Sequence, residues 1–202
     1  MKFSPIIYLI GMLLCILSIF MIVPAFVDWF YGNENWPAFV GSSMATLFVG
    51  SILFLTNKES ATEHLELRQA FLLTNSAWIS IAIFGSLPFL LSDIDMSFVD
   101  AFFESTSGIT TTGATVIENL EAKSHGILIW RALLQWLGGV GIIVMATTVL
   151  PLLKVGGMQV FKTDSSEAEK LLPKTIEVAS VIILIYTTLT ISCVTIYWLQ
   201  GM

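Results

Sequence analysis

Charge is what this chain of 202 residues has least of. Only 12% of its residues are Asp, Glu, Lys or Arg, while 55% are hydrophobic; an ordinary soluble domain carries about 25% charged residues. The few charges sit in short islands between long apolar runs, which is the composition of an integral membrane protein. Basic residues are the scarcer sign, nine against fifteen acidic ones for a formal net charge of −6. No basic stripe exists to neutralise phosphates, so nucleic acid is excluded as a partner. Cysteine is nearly missing. Cys15 and Cys193 both fall inside apolar runs and read as small hydrophobes, not as a disulfide or metal pair. His64 and His125 sit in polar stretches and have no metal-ligand partner at useful spacing. No nucleophile–base or metal-ligand set lies at membrane depth, so the chain is not read as an enzyme. No carboxylate lies deep within a spanning run, so nothing signals a proton-coupling site.

What is present is a series of apolar runs. Five of them, Ile6–Val27, Pro37–Leu55, Ala70–Leu91, Ile127–Leu153 and Ile176–Leu199, are each long enough to cross a hydrocarbon layer of about 30 Å. The first is too long for the apolar region of a secretory signal and is read as a retained helix. The fold class expected is an all-α integral membrane protein with five transmembrane helices plus one short re-entrant helix and its loop. With the N-terminus in the cytoplasm, the inner segments hold Lys2, Lys58, Arg68, Lys154, Lys162, Lys170 and Lys174, and the outer ones only Lys123 and Arg131. Basic residues favour the inner side. The same orientation puts Trp29, Tyr31, Trp36, Trp130, Tyr197 and Trp198 at the outer interface, where amphipathic rings prefer to sit.

Between the third and fourth runs lies a segment too short to span. Ser97-Phe98-Val99-Asp100 has the layout of a capping box, and the helix it starts is expected to run through Ser107 and stop at Gly108. The uncharged stretch Gly108-Ile-Thr-Thr-Thr-Gly113-Ala-Thr115 comes next. Backbone of this kind at membrane depth is tolerated only where protein buries it or where it lines a water-filled path. A helix dipping in with a Thr/Gly strand climbing out is how carbonyl oxygens become ion ligands, and the negative end of the helix dipole also favours a cation. Thr111, Thr112 and Gly113 are the expected carbonyl donors, with Gly113 free to take positive φ. The plain alternative is a Thr-rich outer loop.

The run Asp100-Ala-Phe-Phe-Glu-Ser-Thr-Ser-Gly108-Ile-Thr-Thr-Thr-Gly113-Ala-Thr115 resembles the first pore loop of the Trk/Ktr/HKT superfamily of potassium transporters. So does Trp130-Arg-Ala-Leu-Leu-Gln-Trp-Leu-Gly-Gly-Val-Gly-Ile-Ile-Val144, and Leu150-Pro-Leu-Leu-Lys-Val-Gly-Gly-Met-Gln159 is similar to the membrane subunit of bacterial Trk systems. The resemblance implies potassium as the transported ion, with no organic cofactor, held by the carbonyls of Thr111 and Thr112 with Gly113 as the filter glycine. It implies a pore of four helix–loop–helix repeats, each giving one filter strand. Residues 1–69 would be a peripheral helix pair with its cytoplasmic loop, 70–153 the first repeat with its filter at 108–115, 154–175 a cytoplasmic linker, and 176–202 the first helix of a second, incomplete repeat. The implied partners are membrane lipid, the missing repeats, a second copy as in the homodimeric full-length family, and a cytoplasmic nucleotide-binding regulatory subunit. The implied location is the bacterial inner membrane.

The chain departs from that pattern in one respect: it holds no second Thr-Thr-Gly segment. The reading is therefore an N-terminal part of a longer transporter. The alternatives are a homotetrameric channel and a non-conducting fragment or scaffold. Glu104 and Arg131 either pair behind the filter, supporting it together with Thr110, or face the vestibule and the outer headgroups separately. Gly138, Gly139 and Gly141 fall within the helix after the filter and serve either close packing or a gating hinge. Asp93, Asp95, Asp100, Glu118 and Glu121 make the outer mouth acidic, as a cation entrance or simply as solvated loop. The linker glycines Gly156-Gly157 lie on a face that would meet the regulatory subunit or only water.

Overall fold

In a computed structural model the protein is described over residues 3–62, 67–152 and 168–201. Among the described residues every regular element is helical. They are α1 (Ser4–Phe30), α2 (Trp36–Thr56), a short 3-10 turn at Lys58–Thr62, α3 (Leu67–Gly85), α4 (Leu87–Leu91), α5 (Phe98–Ile109), a 3-10 turn at Leu120–Ala122, α6 (His125–Leu152) and α7 (Ala168–Leu199). Among the described residues, five stretches are long and apolar enough to cross a membrane: Ser4–Phe30, Trp36–Thr56, Arg68–Leu91, His125–Ile143 and Ser180–Leu199. His64 and Gly156-Gly157 lie outside the described residues, as does most of the expected linker.

Three boundaries differ from the sequence expectation. The third span is not one continuous helix. Pro88 lacks an amide proton and its ring crowds the carbonyl four residues back, so α3 ends at Gly85 and α4 restarts at Leu87. Ser86 sits at the break, its hydroxyl donating to the Ile83 carbonyl at 2.6 Å. The last helix begins at Ala168 rather than Ile176. The dipping helix runs past Gly108 to Ile109.

The chain falls into two compact units, Met1–Gly139 and Val140–Met202. In the first, α1 and α2 form a tight pair. A Cβ on Gly11 would come 2.5 Å from the Phe54 amide nitrogen, and one on Gly50 would come 3.0 Å from the Gly11 carbonyl oxygen. The backbones therefore touch, as small residues permit in membrane helices. Ser43 adds a hydroxyl bond to the Ser18 carbonyl across the pair, at 2.8 Å. A single apolar core joins this pair to the rest of the unit: Leu14, Leu17, Met21 and Ala25 of α1, Phe39 of α2, Phe89 of α4, Ala101 of α5, Ile117, and Ile127, Trp130 and Leu134 of α6.

Trp130 corrects the expected aromatic belt. It is fully buried, and its indole N–H donates to the Gly85 carbonyl at 3.0 Å, which caps the end of α3. Trp29, Tyr31, Trp36, Tyr197 and Trp198 are exposed. So are Ile19, Phe26, Met44 and Phe48 on the outer faces of α1 and α2, an apolar surface that suits lipid and not water.

In the second unit, the described side chains of α7 from Ser180 onward show the same character. Leu184, Ile191, Val194 and Trp198 are exposed. Thr187, Thr188, Thr190, Ser192 and Thr195 each turn the hydroxyl back to the carbonyl four residues before, at 2.8 Å. A hydroxyl satisfied within its own helix can face an apolar medium at little cost. Cys15 and Cys193 are both free thiols.

Candidate functional site

The dipping helix α5 is inverted relative to a helix of a soluble protein. Its buried side is mostly small or polar, carrying Ala101, Glu104, Ser105, Ser107 and Gly108 with Ile109 at the end, while Phe98, Val99 and Phe103 face outward. In water the apolar stripe would turn inward. Ser97 starts the helix, accepting from the Asp100 amide at 3.2 Å and donating to the Asp100 carboxylate at 2.6 Å. Asp100 thus reaches back to the cap hydroxyl instead of the cap amide.

The far end of α5 lies well down the side of α6. A Cβ on Gly108 would come 2.9 Å from the Leu134 Cβ, and one on Gly138 would overlap the Ile109 carbonyl oxygen. Gly138 is thirteen residues beyond the start of α6 at His125, about 20 Å along its axis at 1.5 Å per residue. The chain then has to return from Thr110 to His125, so α5 descends and the next segment climbs back. Gly138 is accordingly a close-approach glycine. Gly139 and Gly141 lie in the same helix.

The turn at the bottom is a Schellman cap. The Thr112 amide donates to the Ser107 carbonyl at 3.0 Å and the Thr111 amide to the Gly108 carbonyl at 2.9 Å. The residue in the left-handed position of that cap is Thr111, with φ 58°, where glycine is usual. A left-handed conformation costs an L-residue about 1–2 kcal/mol. Gly113 is also left-handed at φ 78°, and Thr112 between them is not. Thr110 caps the helix, with its hydroxyl 2.8 Å from both the Thr106 carbonyl and the Thr112 hydroxyl.

The climbing strand is held from behind at three consecutive residues. Ser107 Oγ donates to the Ala114 carbonyl at 2.6 Å. Glu104 Oε2 accepts from Thr115 Oγ1 and from the Val116 amide, each at 3.1 Å. The other oxygen of Glu104 accepts from Arg131 Nε in a salt bridge, with the Glu104 side chain fully buried and that of Arg131 13% exposed. One carboxylate therefore ties α5, the strand and α6 together. The structure pairs Glu104 with Arg131. Thr110 to Val116 are exposed on the opposite side. Among the described residues, no hydrogen bond is made to the carbonyls of Thr111, Thr112 or Gly113, and no group of three or more His, Cys, Asp or Glu side chains could hold a metal ion.

Residues 35–201 match the family described as TrkH, cation transport protein. The chain belongs to the TrkH family. It is 40% identical over 206 residues to the Trk system potassium uptake protein TrkH of Vibrio parahaemolyticus, covering all of this chain and 42% of that protein. It is 38% identical to TrkH of Escherichia coli K12, again over 206 residues, the whole chain and 42% of the relative. It is 32% identical over 199 residues to the potassium uptake protein TrkG of the same strain, covering 96% of this chain and 41% of that one. The crystal structure of the potassium transporter TrkH from V. parahaemolyticus is similar with a TM-score of 0.86 at 39% identity, covering the whole chain and 40% of that structure. The TrkH-family chain described here thus spans about two fifths of the length of these relatives, and it is an all-α, multi-pass membrane protein.

The sequence gives no sign of two buried polar groups, Asp28 and Asn35. Asp28, near the end of α1, is fully buried, yet a lone Asp after an apolar run reads as solvated. His125, in a polar stretch of the sequence, opens α6 and stacks on Tyr31 with ring centroids 4.1 Å apart.

Proposed function

We propose that this chain takes part in potassium uptake across the bacterial inner membrane and supplies one of four strands of a backbone-carbonyl filter, the N-terminus lying in the cytoplasm. The observation that carries the reading is the Thr111–Gly113 backbone. Its carbonyls are left without hydrogen-bond donors among the described residues while Ser107 and Glu104, the latter paired with Arg131, hold the next three residues from behind. The left-handed residues at 111 and 113 flank an ordinary one. Alternating handedness of this kind is able to align successive backbone dipoles, as it aligns successive amides in anion nests.

A potassium ion entering from outside sheds water into a ring of about four such strands. Thr111, Thr112 and Gly113 are the ligands from this chain, with Thr110, Glu104 and Arg131 as support. The α5 dipole adds a partial negative charge below the ring. The membrane potential drives the ion inward with about 2.3 kcal/mol per charge per 100 mV. In this reading 1–69 is the peripheral pair, 70–153 the first repeat, 154–175 the linker that meets a nucleotide-binding regulatory subunit, and 176–202 the start of the next repeat. The remaining repeats complete the pore, and two such pores pair in the membrane. The proteins that resemble this chain are named as potassium uptake proteins, which supports the choice of ion.

The test is growth and rubidium uptake in cells that lack potassium transport, expressing this chain alone and together with the remaining repeats. Uptake in the second arm, abolished when the Thr111–Gly113 segment is replaced by a flexible loop, is expected. Undiminished uptake after that replacement removes the reading.

A further inference from the structure

We propose that the peripheral α1–α2 pair is the fixed mount of the pore loop, and that Asp28 and Asn35 are positioning residues for the filter. The inference rests on the pore-loop reading above. One short stretch, 28–35, holds both ends of the segment that dips and returns. At the entry, Asn35 makes a two-pronged clasp with Asp93: its Nδ2 donates to Asp93 Oδ1 at 2.6 Å, and the Asp93 amide donates to Asn35 Oδ1 at 3.1 Å. At the exit, Asp28 Oδ1 accepts from the Gly126 amide at 2.7 Å, and its Oδ2 from Ser124 Oγ at 3.1 Å. Asn33 Nδ2 completes the Asp28 shell at 2.8 Å. A Cβ at Gly126 would overlap the Asp28 carboxylate, so the approach requires glycine there.

The chemistry argues for a mount and against incidental packing. Asp28 is 0% exposed and Asn35 8%. A buried carboxylate is tolerated only with its oxygens satisfied, and this one takes an amide at the start of α6 that the helix leaves unpaired, at the end whose dipole favours negative charge. The apolar core would hold α1 against α6 without it. What apolar contact does not supply is register, because it is non-directional. The two clasps supply it where the loop leaves α4 and where it rejoins α6.

The test is hydrogen exchange of the purified protein in detergent, read by peptide. Asn35→Asp sets two carboxylates against each other, and N35D/D93N restores both bonds: the side-chain bond with donor and acceptor exchanged, and the amide of residue 93 still donating to the side chain of residue 35. In N35D and in Asp28→Asn, amides in 98–117 are expected to exchange about tenfold faster while 4–30 and 36–56 keep their rates. N35D/D93N is expected to return to the rate of the unsubstituted protein. Unchanged exchange in 98–117, an equal rise in every helix, or a swap that fails to recover overturns the proposal. Potassium-over-sodium uptake of the same variants in the assembled transporter gives the functional readout, expected to fall in N35D and recover in the swap. If the unsubstituted transporter moves no potassium, the transport reading fails, and the exchange result still decides the mount.

Discussion

The two sides of the loop at 107–116 are built in opposite ways. Behind it, Glu104 is fully buried and uses both oxygens, Arg131 is paired, and Ser107 and Thr115 are bonded. In front, Thr110 to Val116 are exposed, and the carbonyls from Thr111 to Gly113 take no hydrogen bond among the described residues. The contrast teaches how one strand can stay rigid while offering unpaired oxygens. Backbone groups are normally satisfied, so a strand that leaves three acceptors free has to be held by something other than a ladder. Here side chains of a helix do it.

The contrast can be broken most severely from behind. Glu104→Gln removes the charge that balances Arg131 and weakens the bonds to Thr115 and Val116. Breaking a buried pair costs about 3–5 kcal/mol. Because Arg131 keeps some contact with solvent, the lower end applies, and rubidium uptake by the assembled transporter is expected to drop about a hundredfold. Uptake within twofold of the unsubstituted protein would show that the strand is held some other way. The exchange E104R/R131E is expected to recover part of what either reversal alone loses.

Next comes the seat of α5 on α6. Gly138→Ala drives a methyl into the Ile109 carbonyl. Overpacking of this kind costs about 1–3 kcal/mol, so Tm in detergent and uptake should fall together. A variant that melts at the original temperature would deny the contact.

Gly113→Ala works from the front. Nothing lies within 4 Å of the new methyl, so its effect is conformational, about 1–2 kcal/mol against the left-handed backbone. Tm should fall by only a few degrees, while potassium-over-sodium discrimination falls about tenfold. Intact discrimination would mean that the carbonyl of residue 113 plays no part in ion recognition.

The smallest effect is expected at Thr111. Replacing it by glycine relieves a left-handed threonine worth about 1–2 kcal/mol but adds about 0.5–1 kcal/mol of chain entropy to the unfolded state. A net gain of about 0.5–1 kcal/mol should appear as a slightly higher Tm. A lower Tm would show that the threonine hydroxyl and methyl hold the turn more than its backbone strains it.

Much of this was legible in the residues, for physical reasons that differ from part to part. The five spans follow from apolar length, and the start of α5 from Ser97 and its spacing to Asp100. The break at Ser86 was signalled by Pro88, but a run of Ile, Leu and Phe on both sides hid it. Residue type alone puts Trp130 at the interface, because tryptophan favours it, whereas its burial depends on a partner, the Gly85 carbonyl, that lies 45 residues away in sequence. The clasps of Asp28 and Asn35 were illegible for the same reason: a polar residue near a helix end looks alike whether water or a distant amide satisfies it. Glu104 and Arg131 could be nominated as a pair, but the second duty of Glu104 toward Thr115 and Val116 depends on which way the carboxylate points. Handedness at Thr111 is carried by the cap, and threonine gives no hint of it.

The meeting of Gly138 with the Ile109 carbonyl has a mechanical corollary. Where two backbones abut with no side chain between them, there is no soft layer to absorb displacement. A turn or slide of α6 would press on the foot of α5 at once, and the segment that climbs from it would move in step. The short helix before the loop and the long helix after it therefore behave there as one lever.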